Sequence, residues 1–186
     1  MRSICIGLFY VCAILLASCT SSTKSDNWGE FKVYYFDFDQ VEHYCDTAFV
    51  NDHVKGYEAN HYDELSREKQ LFYATRFDCD HWDYKLSDTA FIEIIEGFNY
   101  IKTVLPQEKH SALDDVFREK SYAGVPDMFM CQAVYRDILV FRKKNKITGL
   151  VKICFMCSQV CISGTEVDVS NFHTLRAYRK LYDLLQ

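Results

Sequence analysis

The clearest structural signal in this chain is the stretch Ile138-Leu139-Val140-Phe141-Arg142-Lys143-Lys144-Asn145-Lys146-Ile147-Thr148-Gly149-Leu150-Val151. Two largely apolar or β-branched segments, 128–141 and 147–157, flank five polar and mostly basic residues. Segments of this composition are typical of strands, and Asn145 can occupy a left-handed turn position. The pattern therefore predicts two antiparallel strands joined by a tight turn within residues 142–146.

Helices are predicted on both sides of this hairpin, because apolar residues recur there at helical spacing. Residues that can cap a helix stand at positions 87–88 and 170–171, and Pro106 ends the first of these two helices. The predicted helices cover residues 60–77, 87–105, 111–120 and 170–185.

A further strand is predicted from Phe31 to Phe38, where aromatic and β-branched residues cluster. The resulting order is strand, helices, hairpin, helix. This order favours an α+β fold, a mainly antiparallel sheet with helices packed on one face, over alternating βαβ units. Residues 31–186 have the length of one ordinary domain.

Composition places the chain among globular proteins. It has 186 residues, of which 49% are hydrophobic and 25% charged, with only 7 Gly and 2 Pro, so it is neither disordered nor collagen-like. Its formal net charge is −5. Because the acidic residues outnumber the basic ones, a phosphate-binding face is not expected, and nucleic acid is excluded as a predicted partner.

The N-terminus has the form of a signal peptide. A short basic start precedes an apolar run from Ile4 to Ala17. As a helix, this run would span roughly 21 Å at about 1.5 Å per residue, which is less than the roughly 30 Å of a bilayer core. A permanent transmembrane anchor is therefore disfavoured.

The apolar run ends in Leu16-Ala17-Ser18-Cys19, which resembles the lipobox of bacterial lipoproteins. The resemblance implies that residues 1–18 are removed and that Cys19 becomes the acylated N-terminus. The stretch after it is rich in Ser, Thr, Lys, Asp and Asn and has no apolar pattern, so residues 19–30 are predicted to be a flexible tether. Thr20 in place of Asp implies an outer-membrane address. The alternative is an ordinary secretory signal whose cut falls near a cysteine, since Ala17 and Ser18 also suit a conventional peptidase.

The second strand of the hairpin ends in Ile153-Cys154-Phe155-Met156-Cys157. Together with the charged turn, it resembles a pattern in uncharacterised small envelope lipoproteins, in which a strand, a charged turn and a strand ending in I-C-F-x-C recur. The resemblance covers the hairpin only and implies no activity.

Cys154, Cys157 and Cys161 form a cysteine cluster with three possible roles. A C-x-x-C can act as a redox dithiol, although that chemistry normally requires a following helix, which is not predicted here. The three thiols, with a histidine from elsewhere, could bind zinc. The third role is structural, as buried thiols or disulfides in an oxidising compartment.

The hairpin also predicts a particular disulfide. A three-residue loop over 143–145 would pair Arg142 with Lys146. Continued without a bulge, that register sets Cys131 opposite Cys157, at a Cα separation that a disulfide can bridge.

Two further groups carry polar side chains that could do chemistry. Residues 78–83, Asp-Cys-Asp-His-Trp-Asp, concentrate cation ligands but lack the glycine and closing glutamate of a calcium loop. Asp37 and Asp39 would share a face of the first predicted strand, with Glu42 and His43 just beyond, as an acid/base pair or simply a polar face. Motifs of serine hydrolases, zinc proteases and nucleotide-binding loops are absent from the sequence.

Two hypotheses of function follow. The first is a non-enzymatic envelope lipoprotein, held to the membrane by its lipid anchor, that binds an envelope protein or a glycan and needs no cofactor. The second is a thiol-redox or zinc-binding protein that uses the C-x-x-C cluster.

Overall fold

Five strands form one antiparallel sheet in the computed structural model, which describes residues 33–47, 62–79, 90–98, 100–119, 131–169, 172 and 175–186. Their order across the sheet is β2-β1-β3-β4-β5, and every neighbouring pair is antiparallel. The strands are β1 (Gln40–Asp46), β2 (Tyr100–Val104), β3 (Asp137–Lys143), β4 (Lys146–Cys154) and β5 (Gln159–Ser163).

In the described ranges, helices lie between β1 and β2, between β2 and β3, and after β5. They are α1 (Arg67–Phe77), α2 (Ala90–Gly97), α3 (His110–Val116) and α4 (Leu175–Leu185), with short 3-10 turns at Tyr62–Glu64 and Gln107–Lys109. The α+β class and the antiparallel sheet are therefore confirmed. Among the described residues, no helix is long and apolar enough to cross a membrane.

The core lies on both faces of the sheet. Successive residues of a strand point to opposite faces, and in β3 Leu139 and Phe141 join one apolar cluster while Ile138 and Val140 join another. α3 and α4 contribute to the first cluster, and α2 contributes to the second together with Phe72 of α1. We call these the α3/α4 face and the α1/α2 face. The helices thus cover both faces, rather than the single face predicted from the sequence.

The central hairpin forms as predicted, although its first strand begins at Asp137 rather than at residue 128 and its turn is different. Lys144 and Asn145 alone form the turn, with φ of 49° and 65°, which is the two-residue geometry that matches strand twist. Lys143 pairs with Lys146, and the register then shifts at a bulge between Phe141 and Arg142. The predicted three-residue loop is wrong.

The predicted strand at 31–38 is also wrong over its described part. Tyr34 forms a single bridge with Arg118, and the chain then enters the core, where Tyr35 and Phe36 are both buried. Tyr35 and Phe36 belong to the apolar cluster that contains Leu139 and Phe141, but their segment is not one of the five strands of the sheet. The first strand is instead β1, which starts at Gln40.

The long helix predicted over 87–105 is two elements. α2 ends at Gly97, and Tyr100–Val104 form β2, which pairs with β1. Glycine favours the end of a helix, and the residues after it are aromatic or β-branched, as an edge strand prefers. The other three predicted helices contain or overlap α1, α3 and α4. The predicted caps at 87–88 and 170–171 lie outside the described residues.

Candidate functional site

Two disulfides tie the end of the sheet to the segments around it. Cys79, just beyond α1, is bonded to Cys161 in β5, with a Cα separation of 5.7 Å. Cys131 is bonded to Cys157 with a Cα separation of 6.1 Å. The sequence predicts no partner for Cys79, because disulfide pairing depends on tertiary structure that cysteine spacing alone does not reveal.

The C-x-x-C motif does not assemble as a dithiol or a zinc site. Cys154 is the last residue of β4, and Cys157 lies in the turn that leads directly into β5, so no helix begins there. Cys157 and Cys161 are bonded to other cysteines, and Cys154 is a buried free thiol. The cluster therefore supplies two cross-links and one packed side chain.

The bond between Cys131 and Cys157 arises from a different geometry than the one predicted. β3 begins at Asp137 and β4 ends at Cys154, so both cysteines lie beyond the ends of the paired strands. The segments outside the hairpin, rather than its register, bring the two sulfur atoms together.

Lys152 occupies an unusual position for a lysine, fully buried on the α1/α2 face. Its Nζ donates hydrogen bonds to the carbonyls of Ala74 at 3.2 Å and Thr75 at 3.1 Å, and to that of Asp78. These carbonyls belong to the C-terminal end of α1, where partial negative charge accumulates. Burial lowers the pKa of Lys152 to about 7, against a smaller opposing effect of Asp78.

Glu42 is the centre of a buried polar network on the same face. Its carboxylate lies 2.9 Å from Nζ of Lys102 and 3.0 Å from Nε of Arg142, and it accepts a hydrogen bond from Tyr44 Oη. Burial by itself would raise the pKa of Glu42, but the hydrogen bonds from the two cations outweigh it and hold this pKa below its ordinary value. The carboxylate is thus an ion-pair partner and a poor proton acceptor.

The two aspartates grouped with Glu42 in the sequence lie elsewhere. Asp37 forms an exposed ion pair with Lys143 at 2.9 Å, and Asp39 accepts a hydrogen bond from the backbone N–H of Lys144 at 3.0 Å. Both precede β1, so the expected shared strand face does not form. Both carboxylates therefore bind residues at the hairpin turn, and Asp37 and Asp39 do not form the acid/base pair considered from the sequence.

His43 belongs to a second polar cluster, on the α3/α4 face. Its Nε2 is 2.8 Å from Oδ1 of Asp137, and one ligand atom each from His43, Cys45 and Asp137 all lie within 4.8 Å of one another. Cys45 is a free, half-buried thiol. Burial raises the pKa of Cys45 to about 11, and the negative charge of Asp137 adds to this effect.

The order of contacts in this cluster decides its chemistry. A catalytic cysteine needs a histidine beside the thiol and a carboxylate behind the histidine. Here both the thiol of Cys45 and the imidazole of His43 interact with Asp137. The cluster is therefore a set of three ligands around one point, and not a nucleophile and its base.

Sequence reasoning missed Cys45 and Asp137. The pattern His43-x-Cys45 would have indicated two donors on one strand face, but the predicted strand ended at Phe38, before these residues. Cys19 and residues 80–83 of the possible cation loop lie outside the described residues.

Comparison with known proteins gives no family model, no curated protein and no solved structure that matches this chain. The class that the fold defines is an α+β domain with a five-stranded antiparallel sheet, covered on both faces and braced by two disulfides.

Proposed function

We propose that this chain is a lipid-anchored protein of the bacterial cell envelope, held at the outer membrane, whose domain is a non-enzymatic binding module. The observation that carries the proposal is the pair of disulfides, Cys79–Cys161 and Cys131–Cys157. Disulfides persist in oxidising compartments and are rare in the cytosol. They agree with the destination implied by the signal peptide and by the lipobox ending at Cys19.

A binding role is supported by large apolar side chains at the edge of the sheet. β2 is one of the two outer strands of the sheet, and its residues Ile101 and Val104 are 56% and 53% exposed. They lie on opposite faces of the strand, so both sides of this edge offer apolar contact. A sheet edge can accept an added strand from a protein partner, and this favours a protein over a glycan.

The polar sites also favour binding over catalysis. Glu42 is held by Lys102 and Arg142, and the thiol of Cys45 is not paired with an imidazole base. The redox or zinc alternative at the C-x-x-C motif is weakened because Cys157 and Cys161 are each bonded elsewhere.

The anchor is tested with two cysteine variants of the full chain, expressed with labelled palmitate. Cys19→Ala should abolish the label and shift the protein toward the soluble fraction, because a thioether needs that sulfur. Cys12→Ala, a cysteine within the apolar run, is the matched control and should keep both label and membrane fractionation. Retained label in Cys19→Ala, or a mature N-terminus without lipid mass in the wild type, would refute the anchor.

The binding role is tested by pull-down from detergent-solubilised envelopes. Ile101→Ser combined with Val104→Ser should release a protein that the wild type retains. Met156→Ser is the control, because Met156 is 82% exposed in the turn before β5, away from this edge. Equal capture by the edge variant and the wild type, or equal loss in the control, would contradict a partner at β2.

A further inference from the structure

The cluster of His43, Cys45 and Asp137 follows directly from the pairing of β1 with β3. Cys45 and Asp137 are opposite each other in the antiparallel register, and His43 is two residues from Cys45, paired with Leu139. Residues opposite one another and two apart on a strand project to the same face. The sheet itself therefore holds the three side chains together.

The donor atoms of this cluster match one class of metal ion. An imidazole nitrogen, a thiolate sulfur and a carboxylate oxygen are the three ligand types that zinc accepts. A hard cation such as Mg²⁺ or Ca²⁺ would prefer oxygen ligands alone. The mixture points to zinc or to a borderline ion of similar preference.

We infer that His43, Cys45 and Asp137 form a binding site for a zinc-class divalent ion, with a fourth position left for water or a ligand. In a tetrahedral site with bonds of about 2.0 Å to nitrogen and oxygen and about 2.3 Å to sulfur, ligand atoms lie about 3.3–3.6 Å apart. All three atoms are already within 4.8 Å of one another. The His43–Asp137 separation of 2.8 Å needs to widen by only about half an ångström for such a site.

Charge balance is consistent with this location. Binding would replace the proton on the Cys45 sulfur with a metal–sulfur bond, and that proton would leave to solvent. The two positive charges of the ion would then face one thiolate and one carboxylate, with a neutral imidazole completing the set. A complex without net charge suits a site where His43 is buried and the Asp137 side chain is only 18% exposed.

The competing explanation is a structural ion pair between His43 and Asp137, with Cys45 as a passive neighbour. A variant without the Cys45 sulfur atom distinguishes the metal site from the structural ion pair, because the ion pair between His43 and Asp137 does not depend on that atom. This inference does not rest on the proposed binding role, and either can fail alone.

The test is a titration of the full mature chain, purified in detergent with its disulfides intact and washed with chelator, using Co²⁺ alone. We expect one Co²⁺ per chain to produce thiolate-to-cobalt charge-transfer absorption in the near ultraviolet, and Zn²⁺ to abolish it by displacement. Cys45→Ser should abolish this band. Asp137→Asn should weaken Co²⁺ binding by at least about tenfold, because even the loss of an outer-shell partner, which does not touch the metal, lowers metal affinity by about 10–100-fold.

Cys154→Ser is the matched control, because Cys154 is the other free thiol among the described residues. It should keep the band. Thermal unfolding shows whether each variant is folded and whether it binds the metal. Zn²⁺ should raise the Tm of the wild type and of Cys154→Ser, but not that of Cys45→Ser. A wild type without the band, or a band that survives Cys45→Ser, would overturn the site.

Discussion

The packing around Gly149 leaves no room for a side chain. A Cβ atom placed there would fall inside the ring of Phe36. That ring is held in place because it stacks on Phe141, the cross-strand partner of Gly149, with centroids 4.3 Å apart. The absence of a side chain in β4 therefore allows the aromatic segment before β1 to lie directly on the sheet.

We predict that Gly149→Ala lowers the free energy of unfolding by about 1–3 kcal/mol, the usual range for overpacking a core. Gly97→Ala is the control, because a Cβ atom at the end of α2 would meet nothing within 4 Å. That change should be neutral or stabilise by up to about 1 kcal/mol, since alanine is the better helix former. Denaturant unfolding measures both, and equal effects of the two changes would contradict the packing argument.

At the scale of the element, α1 depends on a residue from the sheet. The last carbonyls of a helix have no partner within it, and for α1 the buried amino group of Lys152 donates hydrogen bonds to the carbonyls of Ala74, Thr75 and Asp78. The disulfide from Cys79 to Cys161 is anchored beside it, because Cys161 pairs with Lys152 across the sheet. Lys152 and the Cys79–Cys161 disulfide thus hold the C-terminal end of α1 against β4 and β5.

This arrangement predicts a pH dependence of stability. The pKa of Lys152 is about 7 in the folded chain and 10.5 in the unfolded one. Between these values the unfolded chain holds the proton and the folded chain does not, so stability should rise with pH. The contribution of Lys152 should grow by at most about 1.4 kcal/mol per pH unit.

The measurement is the free energy of unfolding of the wild type and of Lys152→Met from pH 7 to about pH 9.5. The pH range ends at about 9.5 because tyrosines of the unfolded chain begin to titrate above it. Burial raises the pKa values of Tyr35 and Tyr44 to about 12, so above the unfolded value near 10 these residues make stability fall with rising pH. The difference between the two proteins should change with pH. Lys69→Met, an exposed lysine of α1, should show the slope of the wild type, and parallel curves for all three would exclude the buried amine as the cause.

At the scale of the whole molecule, the sequence is informative where apolar pattern and local turn chemistry agree. The central hairpin satisfies both, since β3 and β4 are apolar and Asn145 takes a left-handed conformation at the turn. β1 was missed because its buried positions include Glu42 and His43, which become acceptable in a core only once partners from other elements are in place. The exposed side chains of β2 were mistaken for a helix stripe, because apolar residues after Gly97 suit both structures.

The candidate site shows the same division. A C-x-x-C motif can be found in a sequence, but the pairing of its cysteines in disulfides depends on segments outside the paired strands, as it does for Cys131 and Cys157. Asp137 is separated from His43 by 94 positions along the chain, while His43 and Cys45 are only two positions apart. They become neighbours only through the register of β1 with β3.

The two disulfides are nested, because the bond between Cys79 and Cys161 encloses the one between Cys131 and Cys157. A chain that enters an oxidising compartment from its N-terminus delivers Cys45, Cys79 and Cys131 before the partners of the last two arrive. Thiols oxidised in order of arrival would join wrong pairs, which only attack by a further thiolate can undo. The proposed export would therefore make correct maturation depend either on oxidation that waits for the whole domain or on a disulfide isomerase.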